Sequence, residues 1–548
     1  MSRLNRYQEI AVTLRRHGLG FLANALGVNR WIPARRAVPE TPSNEQPRTA
    51  PERVRLALED LGPTFVKLGQ LLATRADLLP QPFIVELSKL HDSASPVPAE
   101  VIREALRDEL GDDPSAVFER FDLTPLASAS IGQAHSATLH DGTPVVVKVR
   151  RPDAVRQVHE DLEILQTLAD RASRLWEPAR AYNLRGLVQE FAQTLRAELD
   201  YLREGRNAER FAENFARRPD VVIPRVFWDT TTSRVLTLER MTGMKITDLA
   251  ALDAAGIDRK ALAKTGAQVV LQMIFEDRFF HADLHPGNLF VHGDGTIALI
   301  DFGMVGEIGD ELEDQLTKFF IAFTSRNPDA LVRALLDLSV TRGQVDRDQL
   351  RESMVSFVGE YEGRSLSEVS FARLTTGMLT ALREQHLQLP REAALIFKVL
   401  LMVEGIGVLL DPNFDFVGVL TPYARRLVKE RLSPAAIARR VANASADAGE
   451  LLLEMPRRLR RILEVMDRSG VEVHLRAAEL EPLVARTERI GNRLVAGMIA
   501  AALIRGVGGL VVGGKRWKGW ESGLMGAGVT ATTTLVGYLL WTARRHRP

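Results

Sequence analysis

The sequence predicts an α+β fold with two lobes, a strand-rich lobe that contains one long helical segment and a helical lobe that follows it. Alternating apolar and polar residues predict four strands before residue 248, at 125–140, 143–149, 222–227 and 235–238. A helical pattern at 154–215 separates the first two strands from the last two. After residue 248 the pattern is mainly helical, with one strand pair at 289–292 and 296–300. Asp-Gly pairs at 141–142 and 294–295 are typical hairpin turns.

The length of the chain predicts accessory segments around these lobes, because 548 residues exceed what one hydrophobic core supports. Changes in composition and apolar pattern give the expected boundaries. They are an amphipathic N-terminal helix at 1–36, a Pro-rich linker at 37–51, a helical extension at 52–120, the first lobe at 121–247, the second lobe at 248–432, a helical connector at 433–493 and a membrane helical hairpin at 494–543.

Composition excludes several classes of protein. The formal net charge is +1 with 26% charged residues, so the chain lacks the strong positive field of a general nucleic-acid binder. Cysteine is absent, which excludes disulfides, thiolate metal sites and cysteine nucleophiles and fits a reducing compartment. We therefore expect no nucleic-acid partner.

The N-terminal segment at 1–27 carries several arginines, one glutamate and apolar residues at helical spacing. It has no continuous apolar run of the kind found in a secretory signal. The pattern predicts a basic amphipathic helix. Two interpretations remain open, a docking helix of the fold or a mitochondrial presequence.

The C-terminal segment predicts membrane attachment. Residues 523–543 contain no charge and are long enough, at about 1.5 Å per residue, to cross a hydrocarbon core of roughly 30 Å. Residues 494–514 are almost as apolar but include Arg505, so we expect them to insert with 523–543 as a hairpin. A buried helix pair that covers the second lobe is the alternative. The arginines at 544, 545 and 547 favour a cytoplasmic C-terminus.

The most informative stretch is FFHADLHPGNLFV followed by IALIDFG. It places Asp283, Asn288 and Asp301 at the spacing of the catalytic loop and DFG motif of kinases, with a predicted hairpin between the last two. Phosphoryl transfer needs oxygen ligands that hold Mg²⁺ against phosphates and a carboxylate near the acceptor hydroxyl. We therefore expect Asp283 to act as a catalytic base or to orient water, and Asn288 and Asp301 to bind Mg²⁺. Turn formation by these residues is the alternative.

The strand at 143–149 contains VVVKV, which matches the strand that carries the phosphate-binding lysine of kinases. We expect Lys148 to contact the phosphates of ATP and to contribute to catalysis, and a solvated strand end is the alternative. The preceding loop LASASIGQAH lies where a Gly-rich phosphate loop belongs, with Ala127, Ala129 and Ser130 at the expected glycine positions. Because alanine resists left-handed backbone angles, this loop is not expected to wrap closely over a triphosphate.

The order of the lobes and of these motifs is the layout of a bilobal protein kinase-like fold. The sequence LERM at 238–241 follows the last strand of the first lobe and is expected to be the hinge between the lobes. In that position the backbone of Glu239 and Met241 would contact adenine.

Residues 62–411 resemble the UbiB family of atypical kinases, also called AarF-type. Lys67 and Gln70, within GPTFVKLGQLLATRADLLP, resemble the KxGQ element of that family. Glu198 and Asp200, within RAELDYLREGRN, resemble its ExD element, and the Ala-rich loop is also typical of the family. The resemblance implies that these four residues lie at the nucleotide site and that 52–120 is a KxGQ extension folded over it. It also implies ATP binding and hydrolysis, and support of ubiquinone or other prenyl-lipid metabolism at membranes.

Two acidic residues compete as the partner of Lys148. On one continuous helix, Glu198 and Glu204 would differ by about 600° of rotation, so they would not share a face. We favour Glu204 as the partner of Lys148 and as part of the nucleotide site, which leaves Glu198 to meet Lys67. A solvated helix face rich in Arg and Glu is the alternative for both.

No APE-type anchor follows the DFG motif, so we do not expect a docking platform for peptide substrates. The prediction is an atypical kinase or ATPase with ATP and Mg²⁺ as cofactors and a prenyl lipid or quinone precursor, a membrane and lipid-biosynthetic enzymes as partners. The expected location is a bacterial inner membrane, with the kinase body in the cytoplasm. Two alternatives are a nucleotide-gated module that binds or extracts lipid and a membrane-anchored pseudokinase scaffold. The intact set of Lys148, Asp283, Asn288 and Asp301 argues against the scaffold.

Overall fold

The structure is a computed structural model that describes residues 3–25, 48–90, 95–325, 327–340, 345–359 and 370–431. The predicted connector at 433–493 and the predicted hairpin at 494–543 lie outside the described residues, as does most of the predicted linker.

The described residues form α-helices and short strands in an order that begins with helices, continues through a strand-rich part and ends with helices. The helices are α1 (Arg3–Arg16), α2 (Gly20–Ala25), α3 (Ala50–Leu61), α4 (Pro63–Ala73), α5 (Gln81–Leu87), α6 (Ala99–Leu110), α7 (Pro114–Val117), α8 (Ala154–Leu175), α9 (Glu177–Ala181), α10 (Leu184–Glu198), α11 (Tyr201–Phe215), α12 (Leu249–Ala254), α13 (Arg259–Phe275), α14 (Asp310–Thr324), α15 (Pro328–Leu338), α16 (Arg347–Gly359), α17 (Phe371–Glu384), α18 (Arg391–Leu410) and α19 (Phe416–Arg431). The strands are β1 (Arg120–Ser128), β2 (Gly132–Thr138), β3 (Pro144–Arg150), β4 (Val221–Val222), β5 (Val235–Glu239), β6 (Met244–Lys245), β7 (Phe279–His281), β8 (Leu289–Val291), β9 (Ile297–Leu299) and β10 (Val305–Glu307).

The first lobe is built on an antiparallel sheet with the strand order β1-β2-β3-β5. Val145, Val147 and Val149 of β3 are buried and pack with Ile102 of α6 in one hydrophobic cluster. Because successive side chains of a strand point to opposite faces, Lys148 lies on the face opposite to these valines. The alternation of side chains along β3 therefore places Lys148 on the sheet face opposite to this hydrophobic cluster.

Four predicted strands are confirmed, 143–149 as β3, 235–238 as β5, 289–292 as β8 and 296–300 as β9. The single strand predicted at 125–140 is wrong, since the chain turns after β1 and the Ala129 amide donates to the Gly132 carbonyl at 2.8 Å. The strand predicted at 222–227 is also wrong. Its segment contains Pro224, which has no amide proton for a ladder, and β4 ends at Val222. That short strand pairs in parallel with β9 of the second lobe.

The helical segment predicted at 154–215 is four helices, α8 to α11, and its treatment as one continuous helix is wrong. The break that matters for the site lies between α10 and α11. Asp200 caps α11, where its carboxylate accepts a hydrogen bond from the Leu202 amide at 3.2 Å. A side chain that satisfies an orphan amide in this way favours a new helix start over continuation. Glu198 and Glu204 therefore lie on different helices.

The second lobe packs its helices around a continuous hydrophobic core with α13 and α18 at its centre. Val270 and Leu271 of α13 and Phe397 and Leu400 of α18 are at most 1% exposed. Among the residues that the structure describes, α18 is the one helix long and apolar enough to cross a membrane, and 61% of its most apolar stretch is buried. Core helices of soluble proteins share these properties, so α18 is weak evidence for a membrane span.

Helices α1 to α4 share a hydrophobic cluster with α8 and α10. Ile10 of α1, Phe65 of α4 and Leu162 of α8 are buried members of that cluster. The Arg6 guanidinium binds Asp161 through two hydrogen bonds of 2.8 and 3.0 Å and also donates to the Leu61 carbonyl. This packing favours the docking-helix interpretation of the N-terminal segment over a presequence.

A second set of buried polar contacts fastens the turn after α4 to distant parts of the chain. Arg75, which is 4% exposed, binds Asp77 and donates to Glu190 of α10 at 3.3 Å and to the Leu389 carbonyl at 3.2 Å. Asp77 in turn accepts from the Leu389 amide at 3.0 Å. The turn is therefore held to α10 and to the segment that precedes α18.

Removal of the carboxylate of Asp161 should loosen α1. In Asp161→Ala the buried Arg6 guanidinium loses two charge-assisted hydrogen bonds, and we expect the free energy of unfolding to fall by about 2–3 kcal/mol. Urea-induced unfolding of the full chain measures this change. Asp60→Ala is a matched control, because Asp60 also contacts α1 through Arg16 and His17 but is 43% exposed. The control should cost less than about 1 kcal/mol, and equal losses in both variants would contradict the prediction.

Candidate active site

The loop after β7 is shaped by a buried histidine. His281 is 1% exposed, its Nδ1 accepts from the Asp283 amide at 3.2 Å, and its Nε2 donates to the Asp301 carbonyl at 2.5 Å. Burial lowers the pKa of His281, which fits a neutral ring that accepts at one nitrogen and donates at the other. The ring therefore ties the start of the loop to the segment after β9.

Asn288 closes the same loop from its other end. Its side-chain amide donates to the Asp283 carbonyl at 3.2 Å, and its own carbonyl accepts from the Ile300 amide at 3.0 Å. With the amide nitrogen engaged, the side-chain oxygen of Asn288 is the atom suited to bind a cation. The antiparallel strands β8 and β9 connect Asn288 to Asp301, so the two residues lie at the same end of this strand pair.

Asp301 adopts a left-handed backbone conformation, with φ of 66°. Aspartate tolerates this region better than most residues, and here its Oδ1 accepts from the Gly303 amide at 3.1 Å. Burial would raise the pKa of Asp301, but the ammonium of Lys148, the hydrogen bond from the Gly303 amide and the charge of Lys67 together outweigh it. The pKa of Asp301 is therefore held well below its usual range, and the carboxylate is ionised.

Lys148 lies between two carboxylates. Its Nζ is 2.5 Å from Oε1 of Glu204 and 3.6 Å from Oδ2 of Asp301. Burial would lower the pKa of Lys148, but these two carboxylates hold it above its ordinary value, so the ammonium stays charged. Glu204 also accepts from the Phe302 amide at 3.3 Å, which connects α11 to the DFG segment.

Helix α11 makes a second contact with the DFG segment. The side-chain amide of Asn207 donates to the Phe302 carbonyl at 2.9 Å. Glu204 and Asn207 are three residues apart, so they share one face of α11 and bind the amide and the carbonyl of the same residue. The Phe302 ring is fully buried beside Phe211 of this helix. The position of Asp301 is therefore set by α11 as well as by the strands that flank it.

Of the three residues predicted at glycine positions, Ala127 lies near the end of β1, and Ala129 and Ser130 lie in the loop between β1 and β2. The Ala129 carbonyl accepts from Nε of Arg151 at 2.9 Å, so the loop is tied to the end of β3. Ile131 is buried in the cluster that α1 to α4 form with α8 and α10. This loop is therefore packed from its outer side by the N-terminal helices.

Helix α4 brings Lys67 to the same region. Lys67 Nζ is 3.1 Å from Oε2 of Glu198, and Lys67 and Ser130 line one small cavity with Pro63 and Thr64. The structure therefore pairs Lys67 with Glu198 and Lys148 with Glu204, on two successive helices. The side chains of both lysines are about one-fifth exposed.

The other residues predicted at the nucleotide site make local contacts. Gln70 donates to the Leu90 carbonyl at 3.1 Å, within the N-terminal helices, and Asp200 caps α11. The Glu239 carboxylate accepts from the Arg225 amide at 3.3 Å, at the end of β5, and Met241 follows on the segment between the lobes. The side chains of Gln70, Asp200 and Glu239 are thus occupied with positioning the backbone.

Sequence reasoning missed Lys398, which reaches the site from α18. Its Nζ is 2.8 Å from Oδ1 of Asp283. Burial would raise the pKa of Asp283, but the Lys398 ammonium outweighs it and holds that pKa below its ordinary value. The signal was present in the sequence, since LIFKVLLMVEG carries a single cation inside an apolar run. A charge on a buried helix needs a partner.

The donor set fits a magnesium ion bound together with phosphates. Within the described part of the chain no three His, Asp or Glu residues form a metal cluster. Mg²⁺ in phosphoryl-transfer sites commonly takes one or two protein oxygens and completes its shell with phosphate oxygens and water. The oxygens of Asn288 and Asp301 would serve in that way.

Comparison with known proteins identifies the family of this arrangement. A family model described as the ABC1 atypical kinase-like domain matches residues 89–335, and one described as the UbiB helical domain matches residues 354–415. A probable protein kinase UbiB of Xanthomonas campestris pv. campestris (strain B100) is 35% identical over 539 residues, which are 95% of this chain and 96% of that protein. A probable protein kinase UbiB of Xylella fastidiosa (strain M23) is 37% identical over 445 residues, 79% of this chain and 80% of that protein.

Among solved structures, the complex of Rv3197 with erythromycin from Mycobacterium tuberculosis is 24% identical. It covers 69% of this chain and 94% of its own, with a TM-score of 0.47. The family assignment rests on the two domain models and on the two UbiB relatives, which match 95% and 79% of this chain. The chain therefore belongs to the UbiB family of atypical kinase-like proteins, and its two lobes have the mixed α+β, kinase-like fold.

Proposed function

We propose that this protein binds ATP with Mg²⁺ and transfers the terminal phosphoryl group to water or to a small molecule, in support of ubiquinone or other prenyl-lipid biosynthesis. The observation that carries the proposal is the convergence of Lys148, Asp283, Asn288 and Asp301 on one region. Two lysines there are paired with carboxylates, Lys148 with Glu204 and Lys398 with Asp283. A stable fold does not require these partly buried ion pairs, because apolar residues of similar size are often as stabilising.

Each side chain has a role in this proposal. Lys148 would hold the α- and β-phosphates, while Asn288 and Asp301 would hold the magnesium ion, which supplies charge neutralisation to the phosphates. Asp283 would accept the proton of the attacking hydroxyl or water. Glu204 orients Lys148 and, through the Phe302 amide, fixes the position of Asp301.

The shape of the site supports a small acceptor. The chain passes from Asp301 through β10, which pairs with β7, and enters α14 at Asp310. This short path offers no long segment on which a peptide could lie. The extension at 52–120, which is joined to α10 by the ion pair of Lys67 with Glu198, would cover the cleft from the other side. Both features disfavour a protein substrate.

The names of the relatives and the C-terminal sequence support the lipid part of the proposal. Proteins named UbiB imply ubiquinone biosynthesis, so a prenyl lipid or quinone precursor is the expected partner class, together with lipid-biosynthetic enzymes. The apolar segments at 494–514 and 523–543 would insert as a hairpin in the bacterial inner membrane, with the kinase body in the cytoplasm.

The proposal predicts magnesium-dependent ATP turnover that requires Asp301. In Asp301→Asn one charged ligand is lost, and we expect phosphate release to fall by at least about 100-fold. The measurement is phosphate release from purified full-length protein with Mg²⁺, ATP and membrane lipid, with ³¹P NMR of the products. Asp310→Asn, a change of the same kind at the exposed start of α14, is the matched control.

The products separate the possible outcomes of this experiment. Inorganic phosphate alone identifies an ATPase, and a new phosphorylated lipid identifies a kinase. Retention of full turnover in Asp301→Asn would refute the assigned role. Nucleotide binding without turnover in the wild type would refute the enzymatic proposal and favour a scaffold.

The ion pair with Lys398 predicts a pH effect. Asp283 accepts a proton only when ionised, and its pKa in the wild type lies below the ordinary value of about 3.9. In Lys398→Met burial remains but the ammonium is lost, so the pKa of Asp283 rises. The acidic limb of the pH profile of kcat/KM should therefore move to higher pH.

Lys264→Met, at an exposed position of α13, is the matched control and should leave the acidic limb in place. Both profiles are measured as phosphate release at saturating Mg²⁺. If the acidic limb is unchanged in Lys398→Met, Asp283 is not the proton acceptor whose pKa Lys398 lowers.

A further inference from the structure

A cavity of about 330 Å³ lies beside the site, between the N-terminal helices and the second lobe. One wall is formed by the end of α4 and by α5, and the other two walls are formed by α17 and α18. The volume falls within the range of about 300–1,000 Å³ that is typical of small-molecule sites. Along α18 the lining runs from Ala394 to Met402, about 12 Å at the helical rise.

The cavity has a polar wall and an apolar wall. Thr376, Thr380 and Arg383 line it from α17, at positions that share one face of the helix. Leu401 and Met402 line it from α18, one turn beyond Lys398. Such a combination, apolar surface with a few convergent polar groups, is typical of a ligand pocket.

The walls are fastened to each other across long separations in sequence. Nη1 of Arg383 donates to the Leu79 carbonyl at 3.3 Å, and Asp77 accepts from the Leu389 amide at 3.0 Å. These contacts join the segment between α4 and α5 to α17 and to the segment before α18. The cavity is therefore a preformed part of the fold.

Lys398 connects the cavity to the catalytic loop. It lines the cavity, and its ammonium binds Asp283 at 2.8 Å. An ammonium has three N–H donors, so a second acceptor on the cavity side can bind Lys398 while the ion pair with Asp283 persists. A polar group of an occupant at this end of the cavity would lie next to the proposed proton acceptor.

The charges of the lining select among possible occupants. A cation would be repelled by Lys398 and Arg383, while Asp77 is already neutralised by Arg75. An anion bound to Lys398 would lie next to the Asp283 carboxylate that the same ammonium already binds, and the two like charges would repel each other. A neutral hydroxyl meets neither obstacle, because it accepts from the ammonium and donates to a carboxylate or a threonine oxygen.

We infer that this cavity binds a neutral amphipathic molecule, with its hydroxyl group at Lys398 and its hydrocarbon part along Leu401 and Met402. The inference deepens the proposed function and rests on it, since it names the class of lipid partner and the place where that partner binds. Binding itself needs no nucleotide, so it is measured separately from ATP turnover.

The test uses geraniol, a short prenyl alcohol, as the ligand. Equilibrium binding of radiolabelled geraniol to the full-length protein is measured without nucleotide in the wild type and in two variants that fill the cavity from opposite walls, Thr380→Trp and Leu401→Trp. Arg373→Trp, at an exposed position of the same helix as Thr380, is the matched control. Thermal unfolding checks that each variant is folded. If one of the two filling variants is not folded, the binding result of the other one is used.

The wild type and Arg373→Trp should bind geraniol saturably, and both filling variants should lose at least about tenfold in affinity. Myrcene, a hydrocarbon of similar size without the hydroxyl, should bind about tenfold more weakly than geraniol to the wild type. Unchanged affinity in the filling variants, equal affinity for myrcene, or no saturable binding to the wild type would overturn the inference. Retention of full turnover in Asp301→Asn with geraniol binding intact would count against the proposed function alone.

Discussion

The ion pair between Lys148 and Glu204 is the contact on which the arrangement of the site depends. It joins β3 of the first lobe to α11, and α11 in turn binds both the amide and the carbonyl of Phe302. The partly buried ammonium of Lys148 needs a carboxylate partner, because a charge that has lost much of its water is unstable without one. The helix, the strand and the DFG segment are therefore positioned together.

The same requirement of a charge for an oppositely charged partner recurs at three other contacts between distant parts of the chain. Arg6 meets Asp161 to hold α1, Arg75 meets Asp77 and Glu190 to hold the turn after α4, and Lys398 meets Asp283 to join α18 to the catalytic loop. Apolar packing brings these elements into contact but is tolerant of small shifts. Paired buried charges tolerate fewer arrangements, since each charge must find its partner at hydrogen-bond distance. The cavity between α5, α17 and α18 is bounded by contacts of this kind.

Local patterns in the sequence predicted much of the first lobe and the central motif. The strands β3, β5, β8 and β9 were predicted from the pattern of apolar and polar residues and are present in the structure. Boundaries that depend on a single turn or cap were predicted less well. The turn at Ala129 and the cap at Asp200 each divided a predicted element, because one hydrogen bond to an orphan amide or carbonyl outweighs a continuing apolar pattern.

The sequence by itself determined the two-lobe α+β order and the spacing of Asp283, Asn288 and Asp301, because strand alternation and short loops are local properties of the chain. Only the tertiary structure decided that Lys398 meets Asp283, 115 residues away, and that Asp77 meets the Leu389 amide, 312 residues away. A lone lysine in an apolar helix indicates that its ammonium pairs with a carboxylate or another polar group. It does not indicate which residue supplies that group. The choice among carboxylates follows from the packing of whole helices, which no local pattern contains.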